Sequence, residues 1–253
     1  MKKVFMIVPA YNAGDTVEHV FERVPAKVAE RIDRYVVVND GSTDHTAETL
    51  ARLAGTIPKL VVLTHEENRG YGAAEKTLLD YALAEGADVA AMVHADGQYS
   101  PESLPDILAP LERDEADLVQ GSRMRGEGAL KGGMPYYKYV ANRALTGIEN
   151  MAFGLGLAEY HSGYMAYSRP FLERVAYDRF SDSFDFDLEM IVASRVLDAR
   201  LREVPIPTIY AGEVSHLDPI RYGLDVLAVV VRYLRGGYHK MLDVPQSRRR
   251  GVE

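Results

Sequence analysis

Val93-His94-Ala95-Asp96-Gly97-Gln98-Tyr99-Ser100-Pro101 leaves a short apolar run that begins at Val89. The run reads as a buried strand that opens into a loop. The loop sets a carboxylate and a side-chain amide two residues apart. Two such oxygen donors can share a hard divalent cation, and such an ion neutralises a departing phosphate group. Two earlier stretches repeat the pattern. Val4 to Val8 is closed by Pro9-Ala10-Tyr11-Asn12, and Tyr35 to Asn39 is closed by Asp40-Gly41-Ser42-Thr43-Asp44. In open α/β sheets ligands bind outside the carboxyl ends of the strands, so Tyr11, Asp40 and Asp96 are expected along one crevice.

The intervening segments alternate in type. Asp15 with Glu18 predicts a capping box ahead of a helix through Val17, Val20, Phe21 and Val24, interrupted at Pro25. Asp44 is expected to cap a helix through Leu50 and Leu53. Lys59 to Leu63 reads as a third strand and Gly72 to Ala84 as a helix. A further helix near Leu104 to Leu111 separates the strand at Asp88 to Val93 from one at Asp117 to Gln120. Such alternation predicts an α/β domain with a mostly parallel, Rossmann-like sheet flanked by helices. After Gly121 the pattern changes. A Gly/Lys/Arg-rich stretch to Pro135 reads as a mobile loop, Tyr136 to Leu155 as a helix, and Tyr164 to Tyr167 as a short strand. Asp187 to Leu197 reads as a helix and Leu201 to Tyr210 as a Pro-interrupted edge strand. Glycines 70 and 72 do not make a dinucleotide site, because that fingerprint belongs directly after the first strand, where Pro-Ala-Tyr-Asn stands.

Composition narrows the class. A chain of 253 residues with 47% hydrophobic content can bury one sizeable core. The absence of cysteine excludes disulfides and thiolate metal sites and suits a cytoplasmic protein. The start enters the first strand at once, so no signal peptide is expected, and no window reaches the roughly 18 to 20 apolar residues of a membrane span. A net charge of −8 argues against nucleic acid as a partner. The charge is uneven, however: from Ser122 to Arg143, Arg123, Arg125, Lys131, Lys138 and Arg143 face only Glu127.

These motifs, with Asn68-Arg69-Gly70-Tyr71-Gly72-Ala73-Ala74, Gly121-Ser122-Arg123, Ser162-Gly163-Tyr164, Phe184 to Met190 and Glu203-Val204-Pro205-Ile206, resemble family 2 glycosyltransferases of the GT-A fold. Within that family the order and spacing are most similar to dolichol-phosphate mannose synthases and polyprenyl-phosphate glycosyltransferases. The resemblance covers roughly residues 3 to 210. It implies a single GT-A domain over residues 1–211, with a nucleotide-binding half (1–121) and an acceptor half (122–211), followed by a C-terminal helical tail (212–253). The implied activity is inverting transfer of a sugar from a UDP- or GDP-linked donor to a polyprenyl phosphate, with Mg²⁺ or Mn²⁺.

On this reading Pro9, Ala10, Tyr11, Asn12, Asp40, Gly72, Ala95 and Asp96 bind the nucleotide sugar, and Asp96 and Gln98 hold the metal. Arg123 and Arg143 grip the acceptor phosphate, a geometry suited to guanidinium groups. Asp187 and Glu189 stand as catalytic candidates beside Asp96 and Arg123. If the acceptor is a hydroxyl, Asp187 or Glu189 supplies the general base; if it is a phosphate, already anionic, none is required. On a helix Asp185 and Glu189 share a face while Asp187 points elsewhere, and all three also suit a helix N-terminus. The family's first metal-motif carboxylate is His94 here, which leaves open ligation by His94 or local packing without metal contact. The family's Glu after Tyr-Asn is Ala13, and its Arg after Ser-Gly-Tyr is Met165. Transfer to a soluble or glycan hydroxyl, or nucleotide-sugar binding with little catalysis, are the alternatives. The Leu/Val-rich segment Ile220 to Arg235, flanked by arginines, either packs on the domain or lies at a membrane surface, which would place the protein peripherally on the cytoplasmic face.

Overall fold

Strand β1 (Val4–Ala10) is buried along almost its whole length and explains how the domain is layered. In a strand successive side chains point to opposite faces. Accordingly Val4, Met6, Val8 and Ala10 enter one core, and Phe5 and Ile7 enter another. The same division continues in β2 (Ile32–Asp40), β4 (Val89–Met92), β5 (Leu118–Ser122) and β6 (Met165–Ser168). With β3 (Leu60–His65) and β7 (Leu201–Pro205) they form a sheet of order β3-β2-β1-β4-β6-β5-β7. The computed structural model describes residues 1–126, 128–207 and 218–244.

The first core is covered by α1 (Val17–Glu22), α3 (Thr46–Thr56) and α5 (Leu104–Glu112), through Val17, Val20, Leu50, Leu53 and Leu108. The second is covered by α4 (Tyr71–Ala84), α7 (Tyr136–Phe153) and α9 (Phe186–Val196). Beyond residue 217, α10 (Pro219–Leu234) and α11 (Gly237–Met241) add Val226, Val229, Val230 and Tyr238 to that second core. Short helices α2 (Ala26–Ala29), α6 (Gly128–Lys131) and α8 (Arg169–Leu172) complete the set among the described residues.

The α/β class and the mostly parallel sheet agree with the sequence reading. Strand β6 runs antiparallel to both β4 and β5, so β4 and β5 end at the same edge as β1 and β2. Three local expectations are corrected. The capping box at Asp15 does not form: Thr16 is the N-cap of α1, Asp15 faces His45 at 3.2 Å, and Glu18 is taken by a two-point pair with Arg52. Asp44 does satisfy a helix N-terminus, but from one residue before the His45 N-cap, accepting from the Thr46 N–H at 3.0 Å. The stretch after Gly121 is not simply a loop, because α6 forms within it and Met124, Ala129 and Met134 pack together. The expected strand from Leu201 ends at Pro205, and its last residues, 208–210, lie outside the described residues.

Candidate active site

Four strand ends supply the site. At the ends of β1 and β2 the chain is bent by residues at positive φ, Asn12 (49°) and Gly41 (64°). The Asn12 N–H donates to Ser42 Oγ at 3.0 Å, and its Oδ1 accepts from the Thr43 N–H at 2.9 Å. A Cβ on Gly41 would lie 2.2 Å from the Glu67 carbonyl carbon, so only glycine lets the loop after β3 come this close. Tyr11 emerges at this edge 39% exposed, beside the half-buried Pro9 and the buried Ala10.

Asp40 is 3% exposed, and its carboxylate is used inside the fold. Oδ1 meets His65 Nδ1 at 2.6 Å and accepts from the Arg69 N–H at 3.0 Å; Oδ2 accepts from the Gly70 N–H at 3.0 Å. The carboxylate thereby holds the 68–70 loop at the end of β2. Gly72 is packed in the same way. Its N–H donates to the Asp182 carbonyl at 2.9 Å, and a Cβ there would lie 2.4 Å from the Ser181 carbonyl, so this glycine admits a close chain crossing.

Past β4 the chain makes an Asx-type turn. The Gln98 N–H donates to Asp96 Oδ1 at 2.9 Å, and Gly97 takes φ 71°. Asp96 is exposed, Gln98 is half-buried, and Ala95 is buried beneath them. Arg23, the C-cap of α1, ties the loop down, donating to the Gly97 carbonyl at 3.1 Å and to both oxygens of Glu102 at 3.0 Å. Burial opposes ionisation of Glu102, yet the bonds from Arg23 and Ser100 outweigh it and hold the carboxyl at about 2. Asp96 and Gln98 thus offer two hard oxygen donors on an anchored turn. That set suits a divalent ion that takes its remaining ligands from a diphosphate and water. Among the described residues no group of three His, Asp or Glu side chains could enclose a metal unaided.

His94 turns inward. Its Nε2 lies 3.1 Å from the Gly163 carbonyl and 2.9 Å from Tyr71 Oη, and its ring meets Tyr99 edge-on at 4.9 Å. Burial, the dominant effect, lowers its pKa and favours the neutral ring. Tyr71 donates to Asp187 Oδ2 at 2.9 Å and stacks on Phe184. A Cβ on Gly163 would fall 2.7 Å from His94 Nε2, 2.7 Å from Tyr71 Oη and 2.8 Å from Asp187 Oδ2, so three polar atoms from three elements converge there. Burial pushes the Asp187 carboxyl up to about 7, against the pull of the hydrogen bond from Tyr71 and of the neighbouring Glu75 and Tyr167.

Asp187 and Glu189 separate. Glu189 is fully buried and accepts from Arg232 at 2.7 Å, Tyr238 Oη at 2.5 Å and the Ser181 N–H at 2.5 Å. It fastens α9 to the C-terminal helices, which corrects its standing as a base. Arg123, 8% exposed, is held by Glu159 at 2.7 Å and by the His161 carbonyl at 2.6 Å. Arg125 meets Glu203 at 3.4 Å. Acids distant in sequence thus compensate part of the basic stretch, whereas Lys138 and Arg143 lie exposed on α7. The sequence pattern alone gives Glu159, Tyr71 and Gly163 no role at the site. A signal for Tyr71 was available, since it opens a helix directly after the glycine turn of a quoted motif.

A family model described as glycosyl transferase family 2 matches residues 5–176. The UDP-N-acetylglucosamine–dolichyl-phosphate N-acetylglucosaminyltransferase of Methanococcus voltae is 28% identical over 221 residues, covering 83% of this chain and 86% of that protein. The undecaprenyl-phosphate mannosyltransferase of Micrococcus luteus is 30% identical over 205 residues, covering 81% and 82%. Among solved structures, glucosyl-3-phosphoglycerate synthase from Mycobacterium tuberculosis, in complex with Mn²⁺, UDP and phosphoglyceric acid, matches with a TM-score of 0.62 at 20% identity, covering 97% of this chain and 80% of that one. That likeness establishes a shared fold.

Proposed function

Because this chain belongs to glycosyl transferase family 2, we propose that it transfers a sugar, with inversion, from a UDP- or GDP-linked donor to a polyprenyl phosphate at a membrane surface. One observation carries the choice of acceptor. Helices α7 and α10 pack against each other, with Phe153 and Tyr233 in edge contact at 5.0 Å, yet both keep apolar outer faces. Tyr136, Tyr137, Val140 and Met151 are exposed on α7, and Leu224, Leu227, Val231 and Leu234 on α10. Lys138, Arg143, Arg221 and Arg235 stand exposed on or beside the same helices. A surface of this composition, in a chain of net charge −8, suits anionic lipid. The relatives named for dolichyl- and undecaprenyl-phosphate substrates support the same reading. Among the described residues no helix is long and apolar enough to cross a membrane.

In the proposed reaction an acceptor phosphate oxygen attacks the anomeric carbon in line. The bond from that carbon to the diphosphate breaks, and its electron pair leaves with the nucleoside diphosphate. The nucleotide lies along the β1 and β2 ends, against Tyr11 and over the loops that Asn12 and Asp40 organise. Asp96 and Gln98 would hold Mg²⁺ or Mn²⁺, which would neutralise the charge that develops on the diphosphate. Arg123, anchored by Glu159, and Arg143, exposed on α7, are the proposed contacts to the acceptor phosphate. The protein's own part is orientation and electrostatic preorganisation.

The test is transfer of radiolabelled sugar from UDP- and GDP-linked donors to a polyprenyl phosphate, with the matching polyprenol and a soluble glycan as rival acceptors. The expected product forms on the phosphate; product on a hydroxyl acceptor alone overturns the reading. Asp187 sharpens the distinction. A hydroxyl acceptor needs Asp187 ionised as base, so transfer to it should rise with pH through about 7 and be abolished by Asp187→Asn. Transfer to an already ionised phosphate should keep measurable activity in that variant. For the lipid surface, Met151→Glu with Leu227→Glu should weaken sedimentation with anionic vesicles at least about tenfold while leaving nucleoside diphosphate affinity unchanged. Unaltered vesicle binding removes this face from the proposal.

A further inference from the structure

Glu75 lies one helical turn after Tyr71 on α4 and is completely buried. It reaches both the Tyr71 hydroxyl and the carboxyl group of Asp187, which is itself 7% exposed. No ion pair reaches either carboxyl among the described residues. The groups facing the pair are Tyr71 from α4, Tyr167 from β6 and Tyr222 from α10, with His94 one hydrogen bond away through Tyr71. Taken as two carboxylates, the pair would be acceptors turned on each other in a buried site. Glu75 Oε1, Glu75 Oε2 and Asp187 Oδ1 would then accept from no protein donor among the described residues. An unpaired buried charge is strongly unfavourable, and two like charges at one site are worse. A single shared proton removes one charge and gives an oxygen on each side a hydrogen-bond partner.

We propose that Glu75 and Asp187 form an acid–carboxylate pair in which Glu75 carries the shared proton and donates it to Asp187, making Glu75 the positioning residue for the carboxylate at Gly163. Tyr71 already fixes Asp187 Oδ2 at 2.9 Å, and Glu75 fixes the other side. The carboxylate is thereby clamped between two donors that issue from one helix turn. Burial and the neighbouring Asp187 both raise the pKa of Glu75 well above the ordinary range, in keeping with the neutral form. The negative charge of the pair then rests on Asp187, the member that reaches the convergence point with His94 and Tyr71.

The inference rests on the reading of Asp187 as a carboxylate of the transfer site, so one measurement is chosen that needs no transfer at all. Infrared difference spectroscopy of the unliganded protein at about pH 8 should show the carbonyl stretch of a buried protonated carboxyl, lost in Glu75→Gln. No such band, or a band that survives in Glu75→Gln, overturns the assignment whatever the enzyme transfers. The kinetic arm uses two variants. Glu75→Gln keeps the shape and an N–H donor and should retain kcat within about threefold, whereas Glu75→Leu removes the donor and should lower kcat at least about tenfold with nucleoside diphosphate affinity unchanged. Equal damage in both variants, or a fully active Glu75→Leu, overturns the positioning role.

Discussion

Asp96→Ala is expected to lower transfer by at least about a thousandfold while the protein folds as before. The magnitude follows from what an ion at a leaving diphosphate contributes, several kcal/mol of transition-state charge stabilisation, at about 1.4 kcal/mol per decade of rate. Asp96 is the one exposed carboxylate on the anchored turn, and Gln98 brings no charge of its own, so no neighbour substitutes for it. The fold should be indifferent. Within the protein the side chain gives up a single hydrogen bond to the Gln98 N–H, at an exposed position where substitutions typically change stability by about 0.5 kcal/mol or less. Thermal unfolding and Mn²⁺-supported transfer measured on one preparation decide the matter. Retention of more than about a tenth of the metal-dependent rate would remove Asp96 from the centre of the site.

How far the sequence foretold this arrangement depends on the range of the interactions concerned. The strands β1, β2 and β4 are legible because their continuous apolar runs are local, and their ends place Tyr11 and Asp96 at one edge. The direction of β6 was not legible. A four-residue strand states no preference of its own, and its pairing with β4 and β5 is decided by register across the sheet. Charge failed for the same reason: Arg123 and Arg125 read as unopposed because Glu159 and Glu203 arrive only on folding. Acidic pairs misled in the other direction, since Glu189 looks as catalytic as Asp187 until Arg232 and Tyr238 close over it.

The C-terminal helix shows a different limit. Its Leu/Val-rich sequence fits packing on the domain and contact with lipid equally well, because α10 is apolar on both sides. Val226, Val229 and Val230 enter the core, while Leu224, Leu227, Val231 and Leu234 face outward. A helix apolar around most of its circumference is expected where two partners are met at once. His94 was likewise undecided from the motif alone. The carbonyl of Gly163 and the hydroxyl of Tyr71 occupy its Nε2, and neither neighbour is near His94 in sequence.

Gly163→Ala carries the second large effect, and it arises from geometry that no motif states. A methyl group there would stand 2.7 to 2.8 Å from His94 Nε2, Tyr71 Oη and Asp187 Oδ2 at once. Carbon does not tolerate such contacts, so one or more of these groups must swing away and the Tyr71 to Asp187 bond must lengthen or break. A displacement of about 1 Å in a positioning group can cost a hundredfold in rate, and a fall in kcat of about that size is expected. Nucleoside diphosphate affinity should stay within about threefold, because the three groups the methyl would strike stand outside the β1 loop that bears Tyr11 and Asn12. Gly147→Ala on α7 provides the comparison. Nothing lies within 4 Å of its Cβ, so that variant should stabilise the helix by about 0.5 to 1 kcal/mol and leave kcat alone. Should Gly163→Ala also leave kcat within about twofold, the convergence of His94, Tyr71 and Asp187 would be packing without a part in transfer.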